Sequence, residues 1–556
     1  MSQHTVTHDT HDATDLSRFR QMIARSQFDL KDHQLTGVQW MRDLETRGAS
    51  GGLLADDMGL GKTIMLLGLL VENPKHHTLI VVPLALLHQW RDQITLLLGH
   101  TPLVFHGAAI KRITRDQLNA APVVLTTYGH ISGASPRTPT NESVAGASPR
   151  TPTNESVAGA SYRTPGNLLL GGGSGACPRW NRVIYDEAHH LRNRRTTRYL
   201  GAAALRTDTT WLVTGTPVQN RKDDIVSLAQ LLDVAPETLV ADRMLRRSKT
   251  EAGISLPGVT CHQEPVDWSC VEEKQFVEQL HSEFTGFRAA RSRPVSNQVS
   301  VSFRHPDTDP SEANHCVLAA LNRCRQGCTF PELLKKSIVY DTVPPHTDED
   351  AREQVGEASF YDKALNASSK LDAVVDHILY SGASPRTPTQ EDIVGGSGAC
   401  PREACPRRKL VFCTFRGEMD CIYERLAFGP APHGRRLRVQ VVDGRTSMSQ
   451  RAKKMRDCDV LILQIQTACE GLNLQEFSDV YFVSPHWNPF VEAQAIGRCH
   501  RIGQTREVRV FRFFMDGSSF RPSDDRAECA PLTADNYIQE KQTAKRDLAA
   551  EILSAQ

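Results

Sequence analysis

Two short segments carry residue types able to do phosphate chemistry: Gly59-Leu60-Gly61-Lys62-Thr63 and Asp186-Glu187-Ala188-His189. The first follows the apolar run Gly51 to Ala55 and precedes Ile64-Met65-Leu66-Leu67, so it reads as strand, glycine-rich turn and helix start. Unpaired N–H groups at a helix start favour an anion. Gly59 and Gly61 let the backbone close around phosphate oxygens, Lys62 brings positive charge to the β/γ-phosphates, and Thr63 offers a hydroxyl to Mg²⁺. The general pattern G-x-x-x-x-G-K-[ST] has its first glycine where this chain carries Asp56. Taken alone, Gly-Lys-Thr can also close an ordinary turn.

The second segment follows Arg182-Val183-Ile184-Tyr185, a short run that places Asp186 and Glu187 at a strand's C-terminal end, where parallel sheets bind ligands. Asp186 is the expected outer partner of Mg²⁺, and Glu187 can orient or deprotonate an attacking water. A third piece lies far downstream, from Gln494 to Gln504. Arg498 and Arg501, three apart, are expected on one helical face, where two guanidinium groups suit the charge growing on a γ-phosphate. Together the three pieces describe hydrolysis of a nucleoside triphosphate.

The chain resembles the Swi/Snf-type ATPases of helicase superfamily two, the chromatin-remodelling and DNA-repair translocases. The resemblance runs, with interruptions, from about Leu30 to the C-terminus. It rests on Leu30 to Trp40, Asp56 to Thr63, Leu79 to Pro83 with His88-Gln89-Trp90, Val124 to Tyr128, Asp186 to His189 and Leu212 to Asn220. In the second half it rests on Met244 to Lys249, Arg325 to Cys328, Lys409 to Phe415, Asp443 to Ser447, Glu470 to Leu474, Trp487-Asn488-Pro489 and Arg498 to Gln504. The family's own cradle accounts for Asp56. The resemblance implies ATP and Mg²⁺ as cofactors, Gln34 as reader of the adenine, and Asp57, Met58, Gly59, Leu60, Gly61, Lys62 and Thr63 around the nucleotide. It implies Thr63 and Asp186 at the metal, and Glu187, His189, Arg498, Arg501 and Gln504 as catalytic candidates. Thr127, Arg445 and Trp487 are the candidates on the DNA side. The implied partner is double-stranded DNA, tracked along one strand without unwinding, with nucleosomes or other DNA-bound proteins as cargo. Two departures stand out: Cys469-Glu470 where two glycines are common, and Tyr185 where an aliphatic residue is usual. A strand-separating DNA or RNA helicase and a catalytically weak DNA-binding scaffold are the alternatives.

The elements that must position these residues are legible as alternating strand-like and helical runs. Thr78 to Val82, Val123 to Thr126 and Trp211 to Val213 lie in the first half; Leu410 to Phe412, Val439 to Val442, Val460 to Leu463 and Val480 to Val483 lie in the second. This βαβ pattern, met twice, predicts an α/β protein with two RecA-like parallel-sheet lobes. The expected boundaries are a disordered tail over 1–25, a first lobe over 26–241, a helical protrusion over 242–367, a second lobe over 368–530 and a terminal brace helix over 531–556. A chain of 556 residues exceeds one core.

With 65 Lys+Arg against 64 Asp+Glu, DNA affinity must come from local basic faces such as Arg192 to Arg198 and Arg243 to Lys249. No run of eighteen apolar residues appears, and residues 1–15 lack a signal-peptide core, so a soluble intracellular protein is expected; the resemblance implies that it acts in a nucleus or at the replication sites of a large DNA virus. The 14 cysteines contain no Cys-x-x-Cys pair, which argues against zinc; Cys324 and Cys328 read as buried thiols. Gly133 to Ala145 reads GASPRTPTNESVA, repeats from Gly146, and its opening returns at Gly382; GGSGACPR occurs at Gly172 and at Gly395. Such small, polar, proline-rich stretches cannot form a core, so low-complexity insertions are expected over about 132–178 and 381–407. Their Ser-Pro and Thr-Pro steps are either phosphorylation sites or plain loop composition.

Overall fold

In a computed structural model of the chain, residues 16–132, 169, 178–289, 313–335, 359–380, 406–429, 436–468, 472–518 and 533–553 are described. Residues 1–15 of the expected tail, nearly all of both expected insertions, and the Cys469-Glu470 departure lie outside these residues. The rest of the stretch expected to be a disordered tail is instead the helix Ser17–Ala24, whose Phe19, Met22 and Ile23 are buried in the first core because an apolar face at helical spacing packs there. The chain divides into two compact units, residues 1–255 with 547–556, and residues 256–546.

The first unit is built on seven parallel strands: β1 (Gly51–Leu54), β2 (Thr78–Val82), β3 (Leu103–Phe105), β4 (Val123–Thr127), β6 (Arg182–Asp186), β8 (Thr210–Val213) and β9 (Met244–Leu245). Their order is β3-β4-β2-β6-β8-β1-β9; β5 (Arg179–Trp180) and β7 (Arg206–Thr207) form a separate pair. Strands β1, β2, β4, β6 and β8 are buried along their whole length, because helices cover both sheet faces and unbroken apolar runs suit that setting. One charged pair sits inside this core. Arg182 and Glu45 are both fully buried, with Arg182 Nε donating to Glu45 Oε1 at 2.7 Å and Trp211 Nε1 donating to the same oxygen at 2.8 Å.

The second unit carries six parallel strands: β10 (Val259–Val266), β11 (Lys409–Cys413), β12 (Val439–Val442), β13 (Val460–Gln464), β14 (Asp479–Phe482) and β15 (Val508–Met515). They run in the order β10-β15-β14-β11-β13-β12. The terminal helix Ala534–Leu553 starts in this unit, where Asp535 pairs with the buried ammonium of Lys370.

The stretch expected to be helical over 242–367 does contain the helices Val271–Ala289 and Ala313–Thr329, yet it opens with two strands. β9 completes the first sheet beside β1, and β10 pairs with β15 over eight residues at the edge of the second. The first unit therefore runs past 241 to 255. β10 is exposed along much of its length, so its sequence VTCHQEPV lacks the apolar run that marks the central strands.

Candidate active site

Strand order explains why distant motifs meet. β6, β8 and β1 are neighbours, with Asp186 opposite Val213 and Val213 opposite Leu54, so three C-terminal ends open side by side within roughly 10 Å. β1 delivers the glycine loop, β6 delivers Asp186 and Glu187, and β8 delivers Thr214 and Gly215.

In the loop, Gly59 and Gly61 adopt φ of 92° and 81°, the left-handed region that glycine tolerates. Gly61 is also the residue before the helix Lys62–Glu72, and a Cβ there would lie 2.5 Å from Gln34 Nε2. The expected adenine reader thus packs against the loop, its Oε1 accepting from Lys31 N at 3.2 Å. His33 Nε2 is 2.8 Å from the carbonyl of Leu60. Lys62 Nζ donates to the carbonyls of Asp56 at 2.6 Å and Asp57 at 3.1 Å. Burial lowers its pKa, opposed by the charges of Glu187, Asp56, Asp186 and Asp57. A Cβ on Gly215 would lie 3.1 Å from Met58 Cγ and 3.5 Å from Lys62 Nζ, so the end of β8 closes against the cradle.

Asp186 Oδ2 accepts from Trp90 Nε1 at 2.7 Å, Oδ1 accepts from Glu187 N at 3.0 Å, and its carbonyl accepts from Tyr128 OH at 2.7 Å. Burial, then the charge of Glu187, raises the Asp186 carboxyl to about 6. A buried oxygen-donor site whose negative charges oppose one another fits a hard divalent cation. Among the described residues no group of three or more His, Cys, Asp or Glu side chains is placed to hold a metal ion.

Glu187 holds φ 52° and ψ 50°, a left-handed conformation rare outside glycine, and so turns its carboxylate away from the strand direction. His189 Nδ1 lies 3.3 Å from Glu187 Oε2 and 3.3 Å from Thr214 Oγ1, linking the acid to the end of β8. The Tyr185 departure is accommodated: its ring is buried and its hydroxyl donates to Ala202 O at 3.2 Å.

The arginine pair belongs to the second unit. The helix Pro489–Cys499, capped by the Asn488 side chain, ends before Arg501, so Arg498 and Arg501 do not share a helical face. Arg501 sits in the turn beyond, where burial and then the charge of Arg498 lower its guanidinium pKa. Two mutually repelling cations are a setting that an anion relieves. Gln504 is used by the turn itself: its Nε2 donates to the carbonyls of Gln475 at 2.9 Å and Phe477 at 3.1 Å, and its Oε1 accepts from Thr505 N and Arg506 N, both at 3.0 Å. That geometry makes the Gln504 side chain a brace of the turn that carries Arg501.

The DNA-side candidates differ in access. Thr127 is buried at the end of β4. Arg445 is exposed and paired with Asp443 at 2.9 Å, and Arg416 approaches the same carboxylate at 3.7 Å. Trp487 is partly exposed under the ammonium of Lys545, 4.9 Å from its ring centroid. The sequence assigns no site role to Trp90, Tyr128 or Arg416, and places Arg247 only in a basic run toward DNA, whereas its guanidinium is engaged by Asp56, His33 and Thr36. Trp90 and Arg247 both belong to segments that carry the family resemblance, but their partners are 96 and 191 residues away in the chain.

The SNF2-related domain model matches residues 33–332, and the helicase conserved C-terminal domain model matches residues 399–503. The chain belongs to the SNF2-related family. It is a helicase-like member of that family, whose similar proteins include DNA repair and chromatin-remodelling factors. This SNF2-related chain is 27% identical to the probable global transactivator of Orgyia pseudotsugata multicapsid polyhedrosis virus, over 88% of the chain and 86% of the relative. It is 24% identical to the DNA excision repair protein ERCC-6-like of Danio rerio, over 88% of the chain but only 34% of that protein. Among solved structures, it is similar to the helicase domain of Pyrococcus furiosus Hef, with 14% identity, a TM-score of 0.48, and coverage of 90% of this chain and 98% of that one. The SNF2-related chain thus spans nearly all of the viral relative and about a third of the fish repair protein. Among the described residues, no helix is long and apolar enough to cross a membrane.

Proposed function

We propose that the chain is a DNA-dependent ATPase that translocates on double-stranded DNA and remodels or displaces proteins bound there. The observation that carries this reading is the convergence of Lys62, in the loop after β1, with Asp186 and Glu187 at the end of β6, two strand ends with only β8 between them, in a chain of the SNF2-related family. Backbone N–H groups of the loop and the Lys62 ammonium bind the β- and γ-phosphates. Thr63 and Asp186 would hold Mg²⁺, which neutralises phosphate charge when bound. Glu187, oriented by His189, accepts the proton of the attacking water. Arg498 and Arg501, carried by the second unit, are the cations assigned to the charge that develops on the γ-phosphoryl group.

Exposed Arg445, Arg416 and Trp487 supply backbone-directed contacts to DNA, which makes affinity sequence-tolerant and salt-sensitive. The likeness to a viral transactivator and to repair proteins supports action at DNA, in a nucleus or at viral replication sites. The test is an ATPase titration comparing duplex DNA, single strands, RNA and nucleosomes. Turnover stimulated by duplex supports the reading. Turnover indifferent to every nucleic acid, or unwinding of a forked duplex, refutes it.

A further inference from the structure

We propose that Arg247 is a positioning residue for nucleotide turnover, fastening the phosphate loop to the strand by which the chain leaves the first unit. The inference rests on the ATPase reading above and adds a component that reading does not contain. β9 lies beside β1, and its flanking backbone continues the ladder: Leu53 N donates to Arg243 O at 2.8 Å and Ala55 N to Leu245 O at 2.7 Å. The next rung falls past the strand end, inside the phosphate loop, where Asp57 N donates to Arg247 O at 2.9 Å. The exit segment therefore holds the loop through the main chain.

The Arg247 side chain adds a fork. Its Nε and NH2 donate to Asp56 Oδ1 at 3.1 Å and Oδ2 at 2.6 Å, and the Asp56 carboxylate is fully buried. Its NH1 donates to His33 O and Thr36 Oγ1, both at 2.7 Å, reaching the helix that carries Gln34. One guanidinium thus joins the adenine-side helix, the phosphate loop and the exit strand. Its five donors in a planar fork suit this task, which a lysine cannot reproduce.

Asp56 explains why the fork is needed. It stands where the general phosphate-loop pattern has a glycine, and a buried carboxylate without a counter-charge would repel a triphosphate. The same residue's carbonyl accepts from Lys62 Nζ at 2.6 Å, so Asp56 faces Arg247 with its side chain and the phosphate-binding lysine with its backbone. Movement of Arg247 is thereby passed to Lys62. Eight residues beyond Arg247 the first unit ends at Ser255. Gly37 preserves the arrangement from the other side, since a Cβ there would come within 2.5 Å of Met65 Sδ and 3.1 Å of Arg247 NH2.

The experiment compares wild type with Arg247→Lys, Gly37→Ala, Asp56→Asn and the Asp56→Asn/Arg247→Lys pair. It measures binding of a fluorescent ADP analogue, KM and kcat for ATP, and amide exchange over residues 243–250 with and without nucleotide. Nucleotide should slow exchange over that segment in wild type. Arg247→Lys, although it keeps the charge, should lose this protection and weaken nucleotide binding by about ten-fold. The double variant should be no worse than Arg247→Lys alone, and Gly37→Ala, which keeps both charges, should fall in the same direction. Wild-type protein that binds and hydrolyses ATP with unchanged exchange over 243–250, or Arg247→Lys with unaltered KM and kcat, overturns the inference and leaves the ATPase reading standing. Wild-type protein that binds no nucleotide removes both.

Discussion

Trp90 donates its indole N–H to Oδ2 of Asp186 at 2.7 Å, joining a helix after β2 to the acid at the end of β6, 96 residues further along the chain. The bond opposes the burial that raises the Asp186 carboxyl and fixes one of its two oxygens, leaving the other near the Glu187 backbone. Trp90 is itself buried among the apolar residues beneath the sheet, so the core and the acid site share one side chain.

Trp90→Phe keeps most of the packing and removes this donor. A hydrogen bond to a charged acceptor contributes about 1.5–3 kcal/mol, so urea denaturation should show a loss of that order. The Mg²⁺ concentration giving half-maximal ATPase activity should rise as Asp186 loses its orientation. Unchanged stability and an unchanged Mg²⁺ requirement would mean the indole is dispensable.

Lys62→Ala and Glu187→Gln should each lower DNA-stimulated ATP hydrolysis by a factor on the order of 10²–10⁴ while duplex binding survives. Gel-shift and ATPase assays on the same preparations separate the two effects. Wild-type turnover in either variant contradicts the roles given to these side chains.

Arg501→Ala should retain nucleotide binding and lose turnover by a factor on the order of 10³. Arg501 lies outside the helix that carries Arg498, so its reach depends on the turn shaped by Gln504. Gln504→Ala should therefore also reduce turnover, with a smaller effect and a loss of thermal stability that Arg501→Ala does not show. Equal turnover in wild type and Arg501→Ala places the essential cation elsewhere.

His281 predicts a pH dependence of stability in the second unit. Its Nδ1 donates to Val277 O at 2.7 Å and its Nε2 accepts from Ala534 N at 2.8 Å, at the start of the terminal helix. Burial lowers the imidazole to about 4 from its ordinary 6.5, and protonation would set two donors against each other at Nε2. Because the folded state binds the proton less readily, its stabilising effect is complete above about pH 6.5 and is lost as pH falls toward 4. The total is about 3 kcal/mol. Equilibrium unfolding between pH 7 and 4.5 should show this loss in wild type and a flatter profile in His281→Gln; parallel profiles would refute it.

The sequence alone determined the two parallel-sheet lobes and the local spacing of the candidate phosphate loop. Buried central strands must be continuous apolar runs, and a phosphate loop depends on local spacing of Gly59, Gly61, Lys62 and Thr63, so both are written in contiguous residues. Tertiary structure alone decided which strand ends lie side by side, and hence that Thr214 reaches His189 and that Trp90 reaches Asp186. It also decided that β9 completes the first sheet, that Val259–Val266 is a strand, and that the helix stops before Arg501. These outcomes follow from hydrogen-bond pairing between segments far apart in the chain. An exposed edge strand and a helix end leave only a faint pattern in the residues that form them.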